Sequence, residues 1–215
     1  MGLRGSLRAT AWAAAVFLAG CLGSVPPVEQ YLRVDAVDMA CDRSVSEGRD
    51  QAQGVVAFMD LTALDNLDRP AVLVANGNVL APSTQWYWEG SPQAVMTGIV
   101  TRMVNCLPGV AGVMKYRPRV EHQAVLGGSV TAFNVQRAGG TRFVAAVRLE
   151  VWTRDSKKLV ASREFSAEAS VGGESAAAVA EAASKAASGV AAQAAAWLSG
   201  EQGGVLARAF AESGK

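Results

Sequence analysis

The chain has 215 residues, half of them apolar, with 20 Lys or Arg against 19 Asp or Glu. That length and apolar share suit one domain with a sizeable core. A near-neutral chain without a basic cluster gives no electrostatic basis for nucleic-acid binding, and a single histidine, His122, excludes every multi-histidine metal site.

In chain order, Arg4 and Arg8 precede an apolar run at residues 9–19 that holds Trp12, Val16, Phe17 and Leu18 and closes on Leu18-Ala19-Gly20-Cys21. A positive flank, a short apolar core and small residues before a cut site are the features of a secretory signal. The run is roughly a dozen residues, short of the ~20 that a transmembrane helix needs. A plain secretory signal has no use for a cysteine just past its cut site, and Leu-Ala-Gly-Cys resembles a bacterial lipobox. That resemblance implies that residues 1–20 are removed, that the Cys21 thiol carries diacylglycerol as a thioether, and that the new amine is N-acylated. Two or three such chains hold a protein to a bilayer stably. Without Arg4 and Arg8 the mature chain has 18 basic residues against 19 acidic, so membrane attachment rests on lipid and not on a polybasic patch. Residues 21–29, with Pro26-Pro27, read as an extended tether. Leu22 after the cysteine, where inner-membrane retention uses aspartate, is similar to the enterobacterial pattern for the outer membrane.

Residues 30–37 alternate as a half-buried strand, and residues 42–53 are polar and loop-like. Further strands are expected at 54–61 and 71–75, and Asn76-Gly77-Asn78 marks a tight turn into Val79-Leu80. The segment from Gln85 to Pro92 places Trp86, Tyr87 and Trp88 just before Ser91, a suitable helix N-cap, and Pro92 at the first helical position. The helix that follows carries Met96, Ile99, Val100, Met103 and Leu107 on one face. Short strands are then expected at 113–117 and 128–137, followed by the clearest one at 141–154, with Phe143, Ala145, Val147, Leu149 and Val151 on one face. Another at 158–170 completes an antiparallel meander. Residues 174–198 form an alanine-rich helix, and 205–212 a short terminal one within a tail at 200–215. The expected architecture is α+β: an antiparallel sheet with two main helices packed on one face, forming a single domain at residues 30–199.

No catalytic or metal-binding constellation emerges. The neighbours of His122 (Arg119, Glu121 and Gln123) suggest an exposed connecting segment. Cys41 and Cys106 lack C-x-x-C spacing; they are either paired as a disulfide or separate buried thiols. Trp86 and Trp88, two apart in an extended segment, share a face, with Tyr87 on the other. At least one belongs to the core beneath the helix, whereas an aromatic left outside suits a partner interface. Trp152, on the polar side of its strand, is a second candidate for that interface.

The lipobox, the short tether, the Tyr31-Leu32 opening strand and the Trp88-Glu89-Gly90-Ser91-Pro92 entry into an amphipathic helix occur in that order. A three-strand meander and an Ala-rich final helix ending in Trp197-Leu198 follow. Together they resemble the ABC-type transport auxiliary lipoprotein family, whose members accompany MCE-domain lipid transporters. The resemblance implies a non-enzymatic accessory, without cofactor beyond its lipid, that docks on an MCE-domain protein and ABC permease of the same system as a homo-oligomer. The rival readings are a stand-alone lipid carrier, with a cavity lined by Met96, Met103 and the tryptophans, and a structural envelope scaffold.

Overall fold

The structure is a computed structural model and describes residues 29–36, 54–200 and 204–214. The elements run β1 (Gln30–Leu32), β2 (Gly54–Phe58), β3 (Thr62–Ala63), β4 (Ala71–Asn76), β5 (Val79–Trp88), α1 (Pro92–Asn105), β6 (Val110–Lys115), β7 (Ala124–Gln136), β8 (Arg142–Thr153), β9 (Leu159–Ser170), α2 (Ala176–Ser199) and α3 (Val205–Ser213). All nine strands join one sheet.

The long strand β7 is its axis. One edge of β7 pairs with β8 along almost its whole length, and β8 pairs in turn with β9, both antiparallel. This is the expected meander, and it forms because alternation fixes register: slipping one strand by a residue would turn its apolar set outward. The other edge of β7 receives three short strands in succession. These are β2 at Ala124–Leu126, β3 at Ser129–Val130 and β4 at Asn134–Gln136, all parallel to β7. Strand β6 adds to β2 in parallel, and β1 adds to β5 in parallel. The sheet is therefore mixed, not antiparallel as expected. The cause is the passage through α1, which carries the chain back so that β6 and β7 start over in the direction of β2; parallel neighbours require such a crossover.

Three helices, not two, cover one face. The face carries Phe143, Ala145, Val147, Leu149 and Val151 from β8, with Val130, Phe133 and Val135 from β7, in one core with all three helices. The terminal helix α3 belongs to this layer: Val205, Leu206 and Ala209 are buried, and the Phe210 ring lies where a Cβ on Gly54 would stand. Helix α2 can lie close because its buried stripe is mostly alanine; a Cβ on Gly189 would meet that of Ala167 on β9 at 2.9 Å. In α1, Met96, Ile99, Val100 and Met103 are buried as the spacing predicts. Ser91 holds the cap position with extended backbone, and Pro92 begins the helix, although the Ser91 side chain makes no capping hydrogen bond.

The opposite face of the meander is polar. Arg142 pairs with Glu168 at 2.8 Å, Arg148 with Glu164 at 3.5 Å, and the Thr131 hydroxyl donates to Glu164 at 2.7 Å. Such cross-strand pairs add little stability each. They keep a solvated face in register with few apolar contacts.

Candidate partner interface

The aromatic segment at the end of β5 divides between core and surface. Trp88 is 1% exposed and meets Phe133 at 5.0 Å and Phe143 at 5.6 Å, both edge-on, while those two rings pack edge-on with each other at 4.9 Å. This geometry is favoured by the ring quadrupoles. Trp88 is therefore core and presents no surface to a partner. Trp86, on the same side, is half-buried against that core. Tyr87 turns the other way and packs on Tyr31 of β1 with ring centroids 5.8 Å apart. Tyr31 is 69% exposed, and beside it Arg33 pairs with Glu89 at 2.9 Å, which raises the Arg33 pKa further. The surface left by this edge is Tyr31, Tyr87 and part of Trp86.

Trp152 lies at the other end of the sheet, opposite Val125 on β7 and Leu159 on β9. It is half-buried on the polar face, and its indole N–H has no hydrogen-bond partner among the described residues. The structure thus keeps Trp86 and Tyr87 together and sets Trp152 apart from them.

Cys106 caps the C-terminus of α1, where its amide donates to Met103 at 3.0 Å, and its sulfur is disulfide-bonded. The bonding partner lies outside the described residues, as do both other cysteines, Cys21 and Cys41.

His122 is not exposed, contrary to expectation. It is 5% exposed, with Nδ1 at 2.6 Å from the Val120 carbonyl and Nε2 at 2.9 Å from the Arg154 carbonyl. A side chain wedged between two carbonyls and stacked edge-on with Tyr116 ties the loop before β7 to the end of β8. The signal was a period of two: His122 and Ala124 continue the inward positions of β7, while the charged neighbours point outward. The cleft around it, about 320 Å³, is shallow and lined by charged residues such as Arg119, Glu121 and Asp155. Among the described residues no group of His, Cys, Asp and Glu is placed to hold a metal ion, and no helix is long and apolar enough to cross a membrane.

The family model described as the ABC-type transport auxiliary lipoprotein component matches residues 42–195. The chain belongs to that family. It is a non-catalytic accessory component of an ABC/MCE-type transport system, associated with that machinery. Among solved structures it is similar to protein XCC0632 from Xanthomonas campestris, at 17% identity and a TM-score of 0.67, covering 80% of this chain and 97% of that one. It is also similar to an uncharacterized protein at 14% identity and a TM-score of 0.60, covering 78% and 97%. At such identities these two support the fold alone. No curated protein matches the chain.

Proposed function

We propose that this auxiliary component is a periplasm-facing lipoprotein, held in the outer membrane by diacylglycerol and an N-acyl chain on Cys21. There it docks as a homo-oligomer on the MCE-domain protein and ABC permease of its own system and helps move phospholipid or other hydrophobic cargo across the envelope. The observation that carries this reading is the family match over residues 42–195, supported at the other end of the chain by Leu18-Ala19-Gly20-Cys21. We also propose that Cys106 pairs with Cys41, which would pin the polar segment before β2 to the end of α1 in an oxidising compartment. Trp86, Tyr87 and Trp152 are the aromatic contacts we assign to the docking surfaces. A stand-alone carrier is disfavoured because Met96 and Met103 are packed into the core, not arranged around a cavity.

Capture of the tagged lipoprotein from gently solubilised envelopes, with mass spectrometry of proteins and lipids, tests the reading. Recovery of an MCE-domain protein with its permease is expected. Recovery of the lipoprotein alone with stoichiometric lipid would replace it with the stand-alone carrier.

A further inference from the structure

The chain between Ala71 and Trp88 contains no charged residue over eighteen positions, yet it forms a hairpin that projects from the sheet. Gly77, at φ +60°, opens a two-residue loop that reverses the chain, a placement reserved for glycine in type II′ hairpins. Beyond it Val79, Leu80, Ala81 and Pro82 are all exposed, Val79 at 68% and Leu80 at 46%. Successive strand residues point to opposite faces, so the outer end of β5 is open on both. Soluble proteins normally guard such an edge with charge. Across β4 from Leu80 stands Arg137, whose amide donates to the Ala75 carbonyl at 3.0 Å; its side chain is exposed and forms no ion pair among the described residues.

Direction and reach identify what covers this end. Strand β1 runs parallel to β5, with Gln30 beside Trp86 and Leu32 beside Trp88, so the chain enters the domain from the side on which the hairpin loop lies. From Ala71, level with Tyr87, to Asn76 is five residues, so the loop stands ~17 Å further toward the incoming tether at ~3.4 Å per residue. The nine residues from Cys21 to Gln30 can span at most ~30 Å. Any tether short of full extension therefore brings the loop close to the bilayer that holds its first residue. A second chain adding as a strand is a poorer occupant. Pro82 has no N–H, and the amides of Gln85 and Trp86 are already donated to the Ser83 hydroxyl at 3.2 and 3.0 Å.

We infer that the open end of the β4–β5 hairpin, Val79 and Leu80 with Arg137 across β4 from them, rests in the headgroup layer of the membrane that carries the lipid anchor. The inference depends on the acylation of Cys21 proposed above. An uncharged apolar tip can enter that layer, and an exposed guanidinium at the same end of the sheet suits lipid phosphate. The contact needs little affinity of its own, because the anchor supplies a high local concentration of bilayer.

The test uses the full lipoprotein purified from membranes and reconstituted into phosphatidylethanolamine–phosphatidylglycerol vesicles. An environment-sensitive fluorophore is placed at Leu80→Cys or, at the opposite end of the sheet, at Lys157→Cys, with the unsubstituted protein as labelling control. A blue shift and quenching by shallow spin-labelled lipid are expected at position 80 and absent at 157, and Val79→Asp with Arg137→Ala should reduce them. A probe at 80 that stays water-exposed on vesicles, or shifts only on adding an MCE-domain partner or on self-association, overturns the placement. Intact mass separates the two layers of argument: protein without acyl chains overturns the anchor itself, whereas acylated protein with a water-exposed probe overturns only the hairpin contact.

Discussion

The two ends of the sheet share the long strands β7, β8 and β9 and differ in how they meet water. At the hairpin end, β4 and β5 carry no charge, Val79 and Leu80 are exposed, and Arg137 stands across β4 from Leu80. At the other end, the β8–β9 turn brings Arg154, Asp155, Lys157 and Lys158 together with Glu212 of α3, which pairs with Lys158 at 2.9 Å. The β8–β9 turn thus gathers charge that the β4–β5 hairpin lacks, while the Arg142–Glu168 pair on β8 and β9 lies level with the hairpin on the polar face. The interior shows no such asymmetry: Trp88, Phe133 and Phe143 fill one end of the core, and Leu126, Leu149 and Val151 the other. The difference lies in what each end faces, not in how either is held together.

Trp88 tests that separation most severely. It roots the uncharged hairpin in the core through its contacts with Phe133 and Phe143. Trp88→Ala should therefore cost ~3–5 kcal/mol, read by denaturant unfolding, with the hairpin amides losing hydrogen-exchange protection. A loss under ~1 kcal/mol would mean that the hairpin is held independently of the core. Gly128 comes next. It sits mid-way along β7 at φ +151°, and a Cβ there would stand 2.0 Å from the Arg148 carbonyl. Gly128→Ala should destabilise by at least ~2 kcal/mol and disturb both ends together, since β7 runs through each. An effect confined to one end would show that β7 does not couple them.

At the charged end, His122→Ala removes both carbonyl contacts from a buried side chain. The expected cost is ~1–3 kcal/mol, measured by thermal unfolding, with the probe at position 80 unchanged. A stability change within ~0.5 kcal/mol would make the histidine incidental.

The sequence disclosed the elements whose signal is local. Alternation in β7, β8 and β9, the Pro92 start of α1 and the small-residue stripe of α2 each belong to one segment and survive folding unchanged. The parallel run of β2, β3 and β4 along β7 was not legible, because pairing between segments some sixty residues apart leaves no local mark. Strand β5 was hidden by Pro82 and by the irregularity after it, where the pairing with β4 shifts register and the Ser83 hydroxyl accepts the amides of Gln85 and Trp86. Of the candidate interface, the division of Trp86 and Trp88 from Tyr87 was readable from a period of two. Which tryptophan would be covered depended on Phe133 and Phe143, which arrive from two other strands. His122 misled because its charged neighbours dominate the composition of a segment whose inward positions are few.

The smallest expected effect concerns pH at the charged end. Asp155 accepts hydrogen bonds from the Thr153 hydroxyl at 2.8 Å and from the Lys157 amide at 3.2 Å, and these, the first above all, hold its pKa below the ordinary value. A carboxylate depressed in the folded state contributes stability that is present above its unfolded pKa, ~3.9, and is lost as pH falls through the lower folded value. Wild type and Asp155→Asn should therefore differ at neutral pH, begin to approach each other only below about pH 4, and converge once pH has fallen beneath the depressed folded value, with the change confined to amides of the β8–β9 turn in hydrogen exchange. The hairpin end has no carboxylate between Ala71 and Trp88 and should show no matching acid transition of its own. If the hairpin amides lost protection over the same acid range, the two ends would be coupled through the sheet, and the contrast in charge would not describe two independently tuned surfaces.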